Sequence, residues 1–281
     1  MKIAELFKKK SPISFEIFPP KGELSVSALR GTLDAFKALS PDFISVTFSA
    51  GGTGDSNNTA ELAGIIKNEY GIETMAHMTC AHSRAEDIES VIARLREKNI
   101  ENILALRGDI IKGREPTEFK YAKDLIDFLS GRDFCVGAAC YPEGHVDCDS
   151  LEDDIRYMRQ KQDAGAEFFI SQLFFDNESF YRFLERAQKA GITKPIVPGI
   201  MPMLGKTQIE RMIYMCGASM PSAIVKILHR HEGDAGGLRA AGIEYAAGQV
   251  RDLLRGQDSG VHIYTMNQPD TAKSILEIAA Q

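Results

Sequence analysis

A chain of 281 residues, 44% hydrophobic and 26% charged, has the balance of a soluble globular protein with enough apolar surface for a substantial core. Its net charge of −6, with basic residues scattered along the chain, offers no cationic surface for a phosphate backbone, so nucleic acid is not an expected partner. No run approaches the roughly 20 apolar residues of a membrane span. MKIAELFKKK carries no apolar stretch of signal-peptide length, so no membrane association and a cytoplasmic location are expected.

Short β-rich runs recur along the chain: ISFEIF (13–18), FISVTFS (43–49), TMAHMT (74–79), NILALR (102–107), FCVGAAC (134–140), EFFISQLF (167–174), PIVPGI (195–200) and VHIYTM (261–266). Helical spacing separates them, as in Ile88, Val91, Ile92 and Leu95, or Ile155, Met158 and Gln162 after a capping-type Ser150. Strand–helix–strand units of this kind require parallel pairing with right-handed crossovers. Several strands are nearly continuous apolar runs, as expected when both faces of a sheet are covered. Eight units favour an α/β fold of the (β/α)8 TIM-barrel type, a single catalytic domain over 1–281. The long interval between the seventh and eighth runs, with TQIERMIYMC, PSAIVKILHRH and GLRAAGIEYAAGQVRDLL, predicts extra helices there.

An open doubly wound sheet is the structural competitor, but no strand is followed by GxGxxG and no GxxxxGK[ST] occurs. The glycine-rich SAGGTGDSNN after the second strand reads as a flexible loop. Cys80, Cys135, Cys140, Cys148 and Cys216 form an odd set without a CxxC pair, which predicts reduced thiols and no structural metal.

Barrel chemistry collects at the C-terminal ends of strands. That rule selects Glu16 with its Phe-Pro-Pro, Thr47 with Phe48, His77 with Thr79, Arg107-Gly108-Asp109, Tyr141 through His145, and Gln172. Glu16 is one carboxylate in an apolar run, and desolvation of its ionised form would suit a proton donor; a buried Arg or Lys partner is the other reading. Arg107 and Asp109 flank a glycine that lets backbone approach a ligand, or they pair with each other. His77 and His145 share no metal-like spacing with the cysteines, and the HRH at 229–231 answers its own helix dipole.

Taken in order, SFEIFPP, SVTFSAGG, HMTC, ALRGD, YPEGH, KQDAGAEFFISQLFFD, PGIMP and HIYTMN resemble the methylenetetrahydrofolate reductase family from about residue 13 to residue 267. The resemblance implies a barrel that holds FAD without a dinucleotide fold and takes NADH or NADPH as co-substrate. Hydride would pass to the flavin and then to 5,10-methylenetetrahydrofolate, in ping-pong fashion, to give 5-methyltetrahydrofolate. By similarity Glu16 is the general acid that opens the methylene bridge, and Asp109 faces pterin and flavin as a catalytic charge. The matching flavin positions are Thr47, Phe48, Ala50 and His77, then Arg107, Gly108 and Asp109, then Tyr121, Ala122 and Tyr141, and finally His145, Asp154 and Lys161. Arg107, His145 and Lys161 would offset the pyrophosphate charge. Folate positions are Asp109, Gln172 and Gln208.

Two departures stand out. Met212 occupies the place of a phenylalanine that stacks on nicotinamide and folate, and Gln268 the place of an arginine for the folate tail. Methionine covers a flat ring without aromatic stacking. The departure at Met212 motivates an alternative in which a partner iron–sulfur protein supplies the electrons; a flavin-free barrel binding folate for methyl transfer is a second. A homo-oligomer is left open by the composition, and no appended regulatory domain is expected.

Overall fold

The computed structural model describes residues 1–20, 29–48, 56–111, 113 and 115–281. Strands β1 (Ile13–Ile17), β2 (Phe43–Val46), β3 (Glu73–Thr79), β4 (Asn102–Leu106), β5 (Cys135–Cys140) and β6 (Phe168–Ser171) pair in chain order, each parallel to the next. β7 (Ile196–Val197) continues from β6, while β8 (Gly199–Ile200) pairs with β9 (Val261–Tyr264), which returns to β1. Pro198 alone separates β7 from β8, so the two ends of the sheet are one stretch of chain and the sheet forms a barrel. Proline has no N–H to give a ladder, which is why PIVPGI, expected as one strand, is two short ladders facing different neighbours. The Pro198 carbonyl still accepts from His262 N at 2.9 Å.

Helices α1 (Arg30–Ala38), α2 (Ser56–Asn68), α3 (Ala85–Glu97), α4 (Ala122–Leu129), α5 (Leu151–Asp163) and α6 (Asn177–Lys189) follow the first six strands in turn. The expected extra helices are α7 (Lys206–Cys216), α8 (Ser222–Arg230) and α9 (Ala235–Gly256), and α10 (Pro269–Ala279) follows β9. Local signals explain their placement. Ser150 caps α5 by accepting from Asp153 N at 3.1 Å, and Ile88, Ile92 and Leu95 bury one face of α3.

Alternation along each strand divides two apolar regions. Phe15 and Ile17 face outward onto Leu33 and Phe36 in the layer between strands and helices. Phe43, Met75, Leu104, Cys135, Phe168, Ile170 and Val197 form a second cluster, which Ile3 and Leu6 join from a 3-10 turn (Ile3–Glu5) at the N-terminal end of the barrel. Asn102, the first residue of β4, fixes that turn by accepting from Ile3 N at 2.8 Å and donating to Met1 O at 3.1 Å and Glu73 Oε1 at 2.9 Å. Each large apolar side chain buried this way contributes about 1.5–3 kcal/mol. Apolar side chains thus fill most of that end of the barrel. Among the described residues no helix is long and apolar enough to cross a membrane.

Candidate active site

Inward positions change character along β1: in register Ser14 faces Phe43 of β2 and His262 of β9, and Glu16 faces Ser45 of β2 and Tyr264 of β9. Glu16 Oε2 lies 3.5 Å from His77 Nε2 and 3.7 Å from His262 Nε2, and its side chain keeps 21% of its exposure. Its nearest titratable neighbours are therefore imidazoles, neither the lysine nor the arginine considered from the sequence. His262 is fully buried; Ser14 Oγ meets its Nδ1 at 2.8 Å and Ser45 Oγ its Nε2 at 3.3 Å, which fixes the ring. Burial holds the His77 pKa down to about 4, with the Glu16 carboxylate pulling the other way and His262 adding to the depression. Its buried Nε2 makes no hydrogen bond among the described residues, an orphaned polar atom beside a carboxyl group.

Tyr264 closes this corner. Its hydroxyl donates to Ser171 O at 2.6 Å, and the ring fits because Gly199 has no side chain: a Cβ there would stand 2.4 Å from Ser171 O and 2.6 Å from the ring. Thr265 Oγ1 donates to Glu16 O at 2.7 Å, and Asn267 holds the chain just after β1 by bonding both N and O of Phe18 at 2.9 Å. Thr47 and Phe48 follow β2 and are partly buried; Thr47 O accepts from Thr59 Oγ1 at 3.0 Å. Ala50 lies outside the described residues.

A second polar group gathers after β4 and β5. Arg107 Nη2 pairs with Asp147 at 2.7 Å, so the guanidinium turns to the neighbouring loop and not to Asp109, which is exposed. Gly108 between them has φ 85°, a left-handed conformation that favours glycine, and a Cβ there would lie 3.0 Å from Thr79 Cβ. Cys80 N and Ala81 N both bond Arg107 O, joining the loops after β3 and β4. Tyr141 and His145 meet edge to face at 4.7 Å, and Lys161 Nζ lies 5.5 Å from the Tyr141 ring centre while donating to Ala139 O at 2.8 Å. Asp154 accepts from His145 N at 2.8 Å. Burial lowers the Lys161 pKa and raises that of Asp154, and burial with the nearby Arg107 charge lowers that of His145. Cations packed this way, with one acid held inside, suit a polyanionic group approaching from the rim. Tyr121, largely exposed, precedes buried Ala122 at the start of α4.

The positions expected from the sequence to contact folate are more dispersed. Gln172 follows β6; its N bonds Cys140 O at 2.7 Å and its Oε1 accepts from Leu173 N at 2.9 Å. Gln208 spends its amide on the loop after β8, accepting from Leu204 N at 2.8 Å and donating to Pro202 O at 3.3 Å. Met212 packs with the apolar cluster of Leu173, Phe175, Met203 and Ile209, to which Tyr264 also belongs. Gln268 stands at the N-cap position of α10, and its Oε1 accepts from Arg239 at 2.7 Å. Sequence reasoning passed over His262, Ser14 and Ser45, although serine and glutamate two apart in SFE, facing HIY, mark one polar stripe. A cleft of about 540 Å³ around Phe7, Pro195 and Ser259 lies at the opposite end.

This arrangement has relatives. The family model described as methylenetetrahydrofolate reductase matches residues 2–280. The chain belongs to the methylenetetrahydrofolate reductase family. Within that family it is 34% identical over 279 residues to methylenetetrahydrofolate reductase 1 of Schizosaccharomyces pombe, covering 96% of this chain and 46% of that protein. It is 32% identical to methylenetetrahydrofolate reductase (NADH) 1 of Arabidopsis thaliana, covering 98% and 50%, and 32% identical to 5,10-methylenetetrahydrofolate reductase of Escherichia coli, covering 94% and 88%. The chain thus spans about half the length of the eukaryotic reductases it matches. A protein from Clostridium thermocellum that binds two copies of 5-methyl-5,6,7,8-tetrahydrofolic acid shares the fold, with TM-score 0.67, 14% identity and coverage of 98% of this chain and 96% of that one.

Proposed function

We propose that this chain reduces 5,10-methylenetetrahydrofolate to 5-methyltetrahydrofolate in the cytoplasm, with FAD as cofactor and NADH or NADPH as co-substrate. The observation that carries the reading is Glu16 at the C-terminal mouth of the barrel, set between His77 and His262. Family membership makes the matching positions the starting point for roles. The donor set after β4 and β5 fits a flavin dinucleotide: Arg107 and Lys161 offer cations and His145 a ring N–H for its pyrophosphate, Tyr141 and Ala122 apolar surface, and Gly108 close backbone approach. The flavin, when bound, supplies the hydride relay between nicotinamide and folate. Thr47, Phe48, Ala50, Tyr121 and Asp154 complete the residues proposed to hold it.

Glu16 delivers a proton to the folate as its methylene bridge opens to a cationic iminium. Neutral His77 lies beside that carboxyl without supplying a fixed cation, and His262, anchored by the hydroxyls of Ser14 and Ser45, bounds its other side. Asp109, exposed on its loop, places a negative charge for the cationic folate, and removal of that charge by an amide would weaken its stabilisation. Gln172, Gln208, Met212 and Gln268 are proposed to line the folate and nicotinamide path.

Oxidation of 5-methyltetrahydrofolate by the FAD-loaded protein with an artificial electron acceptor tests the reading. Turnover is expected with wild-type protein. Purified protein that binds FAD and gives none refutes it.

A further inference from the structure

Arg239 lies in the N-terminal part of α9 and is only partly exposed. Its Nη2 donates to two acceptors, Gln268 Oε1 and Thr271 Oγ1, each at 2.7 Å. Both belong to the start of α10: Gln268 occupies its N-cap position without a side-chain capping bond, and Thr271 is buried in its first turn. Gln268 follows Thr265 by three residues, and Thr265 is bonded to the backbone of Glu16. Neighbouring Leu238 packs in one cluster with Met203 from the loop after β8. The guanidinium thus stands on the rim of the mouth at which Glu16 lies.

Its surroundings are unusual for a half-buried cation. Both acceptors are neutral, and among the described residues no carboxylate oxygen lies within 4 Å of Arg239. The start of α10 is also the positive end of that helix, so its dipole opposes a cation placed there. Asp270 in the first turn of α10 answers that dipole, but among the described residues it makes no ion pair with Arg239, whose guanidinium meets only amide and hydroxyl oxygens. Gln268 and Thr271 share one nitrogen of the guanidinium, and the planar fork has further N–H groups matched in geometry to a carboxylate.

We infer that Arg239, aimed by Gln268 and Thr271, is the subsite for the carboxylate tail of the substrate. The inference rests on the folate reading: a folate ends in a glutamate, at the far end of the molecule from the pterin that Glu16 serves, so its anion needs a cation at the rim. Gln268, which stands where the family resemblance places a tail arginine, then positions that charge from α9 instead of supplying it.

The test measures Kd by calorimetry on the FAD-loaded protein for two ligands, 5-methyltetrahydrofolate and the matching tetrahydropteroate that lacks the glutamate. Wild-type protein is expected to prefer the glutamate-bearing ligand. Arg239→Gln should weaken that ligand by about tenfold to a hundredfold, the range of a lost charge-assisted contact, and leave the pteroate Kd within twofold. Arg239→Lys, which keeps the charge without the fork, should recover part of the preference. Equal weakening of both ligands by Arg239→Gln would mean a structural role and overturn the inference, as would no change in either. Wild-type protein that binds neither ligand overturns the folate reading itself, an outcome distinct from a wild type that binds both equally.

Discussion

Replacing His77 with asparagine should flatten the dependence of stability on pH. In the folded chain burial holds this imidazole at a pKa of about 4, against 6.5 for the exposed side chain. As pH falls below 6.5 the unfolded chain takes up a proton that the folded chain refuses. The contribution of neutral His77 is therefore fully present above pH 6.5, is lost as pH falls toward 4, and is gone below it. The whole interval corresponds to about 3 kcal/mol, of which about 2 kcal/mol has been lost by pH 5. Urea unfolding of wild type and His77→Asn at pH 7.5 and pH 5.0 measures this directly. The variant should lose about 2 kcal/mol less than wild type between the two conditions, whatever its absolute stability. Equal losses would show that the ring is solvated and titrates as an exposed histidine, which is incompatible with a neutral His77 beside Glu16.

Glu16→Gln should lower folate reduction by roughly 10²–10⁴ in stopped-flow traces, while flavin reduction by nicotinamide falls far less; equal losses in both halves would contradict a proton-donor role. Gly199→Ala drives a Cβ against Ser171 O and the Tyr264 ring, and should cost at least about 1–3 kcal/mol in chemical denaturation; an unchanged midpoint would contradict the packing of Tyr264. Ser150→Ala removes the cap of α5 and should cost about 1 kcal/mol, read as a lower Tm.

The barrel could be read from the sequence because its signals are local. Runs such as FISV, NILAL and FFIS are apolar on both faces, and each became a strand covered inside and out. The split at Pro198 was not legible as such, since which neighbour each half of PIVPGI faces depends on barrel closure and not on its own residues. The N-terminal turn was missed for a similar reason: Ile3, Leu6 and Phe7 have the helical spacing i, i+3, i+4, but over too short a run to stand alone, and only the open end of the barrel gives them a place.

Individual site residues were legible as strand-end chemistry, but their partners were not. Arg107 chose Asp147, forty residues away, over Asp109 beside it, because the loops after β4 and β5 adjoin. His262 carries no motif of its own, and only register sets it against Ser14 and near Glu16. Arg239 carried no motif, and its meaning comes from the helix start it was folded against.

The most direct measurement is an anaerobic visible spectrum of the purified protein, recorded alone, after NADH or NADPH, and again after 5,10-methylenetetrahydrofolate. A yellow flavoprotein that bleaches with nicotinamide and regains its colour with the folate, no partner protein being present, is the predicted result. A protein that neither carries nor takes up FAD would contradict it, and so would a flavin that stays oxidised until an iron–sulfur partner is added.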